Sequence, residues 1–366
     1  MIKKIVLTGG PGSGKTTVIS SIKKHFEGTD FKILVVPETA TELINGGIKC
    51  FGDNAVSVID FQELVMTLQL EKEKIYEKAA QELGGNVLII FDRGTVDNFA
   101  YINQTQTKEL LNRFDNKINL VNLLERYDLV IDLVSREDFY TTENNQARSE
   151  NVREALDLGI TTLNSWIGHK KLKIVKPKDK IDEKINEVLN HINELLNMKQ
   201  VKRQEKYLID LKSSDLLPLL ELNKKQSIEQ YYLKSEVNKE LRIRKTSFSG
   251  CVSYYLSEFT IEEDGKKIIE RERIISEKEF DDLLQYRDDN YQPIKKNRYY
   301  ICYDGTYMYL DIFNGDDNYG ILEINVDENE FRNIPQYLSI IEKVSSNQRY
   351  QNKNIAYTSA KTRKLK

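Results

Sequence analysis

Cysteine is scarce in this chain. Only Cys50, Cys251 and Cys302 occur in 366 residues, odd in number and far apart. Such spacing excludes a disulfide framework and a cysteine-based metal site, and it predicts a reducing compartment such as the cytoplasm. Long apolar runs are missing too, and no stretch approaches the roughly 18 residues of a membrane span. The start, Met1-Ile2-Lys3-Lys4, imitates a signal n-region, but Gly9-Gly10-Pro11 interrupts the apolar run that follows, which argues against a signal peptide. There is little excess of either charge: charged residues make up 30 %, yet the net charge is −3. That balance gives no global pull toward nucleic acid or a membrane surface. The basic end, Lys361 to Lys366, reads as a short solvated tail. The length fits two domains of roughly 100–200 residues each.

What the chain does have stands at its beginning. The apolar run Ile5-Val6-Leu7-Thr8 leads into Gly9-Gly10-Pro11-Gly12-Ser13-Gly14-Lys15-Thr16-Thr17 and then into Val18-Ile19-Ser20. Strand, glycine loop and helix follow in the order that a G-x-x-x-x-G-K-[ST] motif requires. Glycines let several backbone N–H groups point at one anion, and the helix N-terminus adds its partial positive charge. Lys15 is expected to reach the outer phosphates of ATP or GTP, and the Thr16 hydroxyl to hold Mg²⁺. The plain alternative is a glycine-rich turn.

Further strands are predicted over 32–36, 87–91, 129–134 and 172–175, with helices between them and a closing helix over 182–198. Alternation of this kind implies an α/β domain built on a parallel sheet. Carboxylates just past strand ends lie where such sheets bind ligands. Glu38, after Val35-Val36-Pro37, is therefore the candidate base or anchor for a hydroxyl acceptor; otherwise it is a solvated helix-start acid. Asp92, closing Val87 to Phe91, is the candidate for the Mg²⁺ shell. Arg93 beside it could hold phosphate, or the two could form a structural pair. The polar stretch Thr141 to Ser149 ends in Arg148, first choice for a lid cation, with Arg153 second; an ordinary exposed loop is the alternative. The residues Gly9–Thr17, Val36-Pro37-Glu38, Asp92-Arg93-Gly94 with Asp97, Ala100 and Tyr101, and Arg148-Ser149-Glu150 resemble the P-loop kinase-like ATPase domain of ribosylnicotinamide-kinase and deoxynucleoside-kinase relatives. The resemblance covers 1–198.

From 199 onward the hydrophobic period changes from 3.6 to 2. Eight strands are predicted between Tyr207 and Val326, with helices over 214–222 and 277–285. Most of the 20 tyrosines lie in this half, in keeping with the aromatic preference for strands. Many antiparallel strands on short turns suggest a barrel or sandwich. Alternation puts Arg242 with Arg244, Glu270 with Glu272, Lys296 with Arg298, and Glu323 with Asn325 on shared faces. A solvated face would carry such pairs too. Cations converging inside a barrel would repel unless an anion neutralised them.

This half resembles the CYTH domain, the triphosphate-tunnel fold. The matching segments are Lys206–Ile209, Gln230–Leu233, Leu241–Arg244, Glu270–Glu272, Lys295–Arg298, Leu310–Phe313, Gly320–Glu323 and Pro335–Leu338. The resemblance implies eight antiparallel strands closed into a tunnel, with Lys206, Arg242, Arg244, Lys296 and Arg298 as candidate grips for a triphosphate. It makes Glu270, Glu272 and Glu323 the metal candidates. The family's opening E-x-E-x-K appears here as Lys202-Arg203-Gln204-Glu205-Lys206, its late E-x-E as Glu323-Ile324-Asn325, and a lysine as Phe259. Three aligned carboxylates are thus replaced while the cations stay, which favours anion binding over metal-assisted hydrolysis. Kinase-like ATPase followed by CYTH resembles the TRPL-translocation-defect type of fusion, and that resemblance alone implies acidic-lipid contact.

The expectation is a P-loop domain over 1–198 that binds ATP or GTP with Mg²⁺ and transfers a phosphoryl group to a small hydroxyl acceptor such as a nucleoside. A CYTH-like domain over 199–366 is expected to bind a triphosphate-like anion. The alternatives are a nucleotide-dependent switch and an active tunnel triphosphatase.

Overall fold

The computed structural model describes residues 1–114, 118–135, 152–196, 203–212, 224–261, 267–316, 318–326 and 334–357. The chain divides into two compact units, Met1–Gln200 and Val201–Lys366.

The first unit is a five-stranded sheet in the order β2-β3-β1-β4-β5. Its strands are β1 (Ile2–Thr8), β2 (Phe31–Val36), β3 (Asn86–Asp92), β4 (Leu129–Leu133) and β5 (Leu172–Val175), and all neighbours pair in parallel. The helices are α1 (Lys15–Phe26), α2 (Thr39–Asn45), α3 (Val58–Leu83), α4 (Gln104–Asn112), α5 (Leu120–Leu124), α6 (Val152–Trp166) and α7 (Ile181–Leu196). A strand buried on both faces must be apolar throughout, and Val87, Leu88, Ile89 and Ile90 of β3 are fully buried. On one face Ile5, Leu7, Leu88, Ile90 and Ile131 pack with Val18 and Ile22 of α1 and with Val188 and Ile192 of α7. Burying a side chain of this size stabilises by about 1.5–3 kcal/mol. The long helix α3 begins where the Ser57 side chain accepts a hydrogen bond from the Asp60 amide, and it stops at Gly84, which has a φ of 60°.

The second unit is a nine-stranded sheet in the order β10-β9-β8-β7-β11-β12-β13-β6-β14. These are β6 (Arg203–Asp210), β7 (Lys225–Leu233), β8 (Lys239–Phe248), β9 (Cys251–Ile261), β10 (Lys267–Ile275), β11 (Ile294–Tyr303), β12 (Thr306–Phe313), β13 (Tyr319–Val326) and β14 (Ser339–Lys343), all antiparallel to their neighbours. Helices α8 (Glu277–Leu284) and α9 (Asn352–Ala356) accompany them. The eight expected strands are present, and β14 is added to them. The expected helix over 214–222 lies outside the described residues.

The closed tunnel needs correction. The sheet curls, but among the described residues no ladder joins β10 to β14. Both edge pairings are irregular, with register shifts between Ile269 and Arg271 and between Ile340 and Glu342. A broken ladder offers no continuous row of donors and acceptors for closure.

Ile131 sits at 0 % exposure in β4, at the centre of the first core. Ile131→Ala is expected to cost about 2–5 kcal/mol. Chemical denaturation of the full chain, followed on the transition of the first unit, checks it, and an unchanged midpoint would contradict the packing.

Candidate functional site

The parallel register brings four strand ends together. Leu7 of β1 pairs with Asp92 of β3, and Thr8 pairs with Asp132 of β4. Val36 of β2 pairs with Phe91, so Glu38 and Arg93, each two residues further on, meet. The loop from Gly9 to Gly14 crosses these ends. Gly9 has a φ of 133°, and a Cβ there would lie 2.2 Å from the Leu133 carbonyl oxygen; only glycine fits. Helix α1 starts at Lys15 with no side-chain cap and no acid in its first turn. Its N–H groups therefore have no competing local acceptor at the place where an anion would dock. Thr16 and Thr17 are exposed in that first turn.

Lys15 Nζ donates to the Gly9 carbonyl at 3.2 Å. Burial, with Arg93 nearby, lowers its pKa to about 8 against the pull of Glu38, Asp92 and Asp97. Arg93 is buried, has a φ of 69°, and donates through Nε to Glu38 Oε1 at 2.6 Å. Thr41 donates to the other Glu38 oxygen at 2.9 Å. Burial would raise the Glu38 pKa, but Arg93, Lys15 and these hydrogen bonds outweigh it and hold the carboxyl below its ordinary range. Glu38 is thus an anion at neutral pH.

Asp92 behaves oppositely. Burial pushes its pKa up to about 6 against the pull of Lys15, and its Oδ1 is buried without a hydrogen-bond partner. An orphaned carboxylate oxygen beside a phosphate loop fits a hard cation. Mg²⁺ uses one or two carboxylates plus phosphate oxygens, so Asp92 and the Thr16 hydroxyl suit it. Among the described residues no group of three or more His, Cys, Asp or Glu is placed to hold a metal.

Sequence reasoning gave no role to Asp132, Lys184 or Asp97. Asp132 is 2 % exposed, has an unpartnered Oδ1, and is pushed up to about 7 by burial and by Asp97. The signal was an acid inside an apolar run. Lys184 of α7 donates to the Ser13 and Val134 carbonyls, both at 2.9 Å, and so ties the glycine loop to the end of β4. Nothing in an amphipathic helix marks such a lysine. Asp97 accepts from the Gly94 amide at 2.6 Å and from the Thr8 hydroxyl. Arg148 lies outside the described residues; Arg153 is exposed in the first turn of α6.

In the second unit a cavity of about 520 Å³ gathers Lys206, Arg242, Arg244, Lys296, Arg298 and Lys353. All five predicted cations are therefore together. The sequence did not show how far they are already neutralised. Asp311 of β12 is 1 % exposed and takes Arg298 through Nε at 2.7 Å and Nη2 at 2.8 Å, and Lys296 as well. Those cations hold Asp311 far below the usual carboxylate range although burial opposes them. Glu323 lies 2.9 Å from Arg298 and 2.8 Å from Lys206. Glu272 accepts from Ser257 at 3.1 Å and lies 3.5 Å from Arg244; the Glu270 side chain lies outside the described residues. Arg242 stacks on Phe259, its guanidinium carbon 4.1 Å from the ring centre.

Residues 4–184 match the model of a family described as an AAA domain. No curated protein matches the sequence. A deoxyadenosine kinase from M. mycoides, solved with bound dATP, is 18 % identical and aligns over 52 % of this chain and 100 % of its own, with a TM-score of 0.37. The inorganic triphosphatase NE1496 is 21 % identical over 43 % of this chain and 95 % of its own, with a TM-score of 0.32. The PH1819 protein from Pyrococcus horikoshii OT3 is 18 % identical over 34 % of this chain and 80 % of its own, with a TM-score of 0.27. The motif, the strand order and the match to the AAA-domain model make the first unit a P-loop-like α/β domain.

The raised pKa of Asp92 carries a signed prediction. Between 3.8, the ordinary value, and about 6 the folded carboxyl holds a proton that the unfolded one has lost. Stability therefore falls as pH rises through that window, and the penalty is complete above it. Without Mg²⁺, Asp92→Asn should stabilise the chain at pH 8 by up to about 3 kcal/mol, and the gain should vanish near pH 4. Mg²⁺-dependent turnover should fall in the same variant. Melting curves at both pH values check the first part, and a destabilised variant at pH 8 would refute it.

Proposed function

We propose that the first unit is a Mg²⁺-dependent phosphotransferase or NTPase that uses ATP or GTP and passes the terminal phosphoryl group to a small hydroxyl acceptor such as a nucleoside. The observation that carries this reading is the Glu38–Arg93 pair standing across the strand ends from the glycine loop. Phosphoryl transfer needs placed charges more than covalent chemistry. The loop amides and Lys15 would take the phosphates. Ionised Glu38 would accept a hydrogen bond from the acceptor hydroxyl and hold its oxygen toward the phosphoryl group. Arg93, fixed by Glu38 and by Asp97 at 3.6 Å, would place positive charge near the acceptor side. Mg²⁺, held by Asp92 and Thr16, would supply charge neutralisation on the phosphates.

The second unit, in this reading, binds a phosphate-rich anion of triphosphate type in its cationic cavity. The replacement of aligned acids at Lys202, Gln204 and Asn325 argues for binding over cleavage. The second reading is a nucleotide-dependent switch that senses such an anion. It draws on the internal pairing of Lys296 and Arg298 with Asp311, which leaves the cavity stable without a ligand.

Lys15→Ala should abolish tight Mg-nucleotide binding or turnover without unfolding the chain; full turnover would defeat the kinase reading. A screen for acceptor-dependent ADP release across nucleosides separates transfer from slow switch-type hydrolysis. With an acceptor identified, Glu38→Gln should lower transfer by about 10²–10⁴-fold while nucleotide still binds. Equal transfer by the variant would return Glu38 to a structural role.

A further inference from the structure

The glycine loop has few side chains with which to hold its own shape. Its backbone must be held from outside. Gly9, Gly10, Pro11 and Ser13 are buried. Helix α6 lies directly against the loop: a Cβ on Gly10 would come 2.9 Å from the Gly159 Cα and 3.0 Å from the Ala155 carbonyl oxygen. Packing this close leaves no room for water at Gly10. A carbonyl buried in such a place needs a donor from the protein.

The loop carbonyls find such donors, and the donors are of two kinds. Lys15 Nζ donates to Gly9 at 3.2 Å and to Gly10 at 3.5 Å. Ser135 Oγ, just past β4, donates to Pro11 at 3.0 Å. Lys184 Nζ, from α7, donates to Ser13 and to Val134, both at 2.9 Å. Lys15 cannot serve the loop and the phosphates together, so its hold on Gly9 and Gly10 ends when nucleotide arrives. Ser135 and Lys184 have no such second task. Burial lowers the Lys184 pKa to about 8 against the pull of Asp132 and Glu187, so at neutral pH it is an ammonium with three donors. In a trans peptide the C=O and the N–H point opposite ways. Turning the Pro11 carbonyl to Ser135 therefore aims the Gly12 amide away from it, and turning the Ser13 carbonyl to Lys184 does the same for the Gly14 amide.

We propose that Lys184, assisted by Ser135, is a positioning residue for the nucleotide: it holds the glycine loop in its phosphate-receiving shape once Lys15 has left the loop for the phosphates. This rests on the phosphotransferase reading of the first unit and adds to it a residue that acts through the loop. The loop amides grip the phosphates alike before and during transfer. Losing their aim therefore removes uniform binding, which raises KM and leaves kcat little changed. A packing role alone would lower the melting temperature and leave the KM of the folded chain where it was.

The test uses the full chain, with Mg-ATP and Mg-GTP as probes, well below the melting transition. Lys184→Met keeps the bulk of the side chain and removes its donors. It should raise the Kd and the KM for nucleotide by about tenfold or more, the worth of a hydrogen bond to a charged group, with kcat within about threefold of the parent. Ser135→Ala removes the neutral hold on Pro11 and should raise both constants by about threefold; it carries the test alone if Lys184→Met does not fold. A parental KM in the folded variants, whatever their melting temperature, would overturn the positioning role and leave a packing contact. A loss confined to kcat would overturn it too. A parent chain that binds neither nucleotide, and that Lys15→Ala leaves unaltered, would defeat the nucleotide reading of the first unit and the positioning role with it.

Discussion

The link between Glu38 and Arg93 ties the ends of two neighbouring strands, and the geometry of the site in the first unit depends on it. Arg93 is a buried cation in the left-handed region, a conformation that costs a non-glycine residue about 1–3 kcal/mol. It persists because both sides hold it. Its amide donates to the Leu7 carbonyl at 3.0 Å, which extends the sheet by one bond. Its guanidinium is taken by Glu38 and faced by Asp97. The next residue must then be Gly94, since a Cβ there would sit 2.8 Å from the Trp166 ring. In return Arg93, with Lys15 and Thr41, outweighs the upward push of burial on the Glu38 carboxyl. Glu38 and Asp92 sit at the ends of adjacent strands with opposite pKa shifts, and the difference is which of them holds the arginine.

The second unit answers the same constraint differently. Buried charge is tolerable only when paired, and removing one partner costs more than the pair contributes. Asp311 is the centre of that pairing, with Lys296 and Arg298 bonded to it. The wall of the cavity is therefore stable with nothing inside it. Phe259 does for Arg242 what a carboxylate does for the others. It offers a ring face, an interaction of about 0.5–2 kcal/mol, while the guanidinium also reaches the Tyr232 hydroxyl.

The residues legible from sequence are those that end an apolar run. Glu38, Asp92 and Arg93 stand at the ends of strand runs, which a parallel sheet must bring together, and Lys15 was legible through the glycine motif before it. Arg242 with Arg244 and Lys296 with Arg298 were legible as shared faces, because a strand alternates. What alternation does not give is the neighbour across the ladder. Arg298 stands opposite Asp311 through a pairing of distant segments, and no local pattern fixes that register. Asp132 escaped because an acid within an apolar strand carries no motif, and Lys184 because it sits in a helix full of charges. The closed tunnel was carried by resemblance, and it failed at the two edges, where the ladders slip.

The orphaned polar atoms of the two units include both donors and acceptors. In the first unit Asp92 and Asp132 each leave a buried carboxylate oxygen without a donor. These are acceptors, and they suit a cation or a proton. In the second unit Gln230 and Arg244 leave buried N–H groups without an acceptor, and these suit an anion. Four further orphaned atoms lie on Arg93, Trp166, His191 and Glu240, and Arg93 and Glu240 each have a charged partner. Arg93 Nη1 faces Asp97 at 3.6 Å, and the second oxygen of Glu240 faces Lys353 at 3.3 Å. A fold that satisfies nearly all its buried polar groups has left two carboxylate oxygens near the phosphate loop and two N–H groups at the cavity of the second unit. Such groups raise the energy of the empty protein and fall silent when a complementary ligand arrives. In the proposed reading, a metal ion would meet the unmet carboxylate oxygens of the first unit, and an anion would meet the unmet N–H groups of the second.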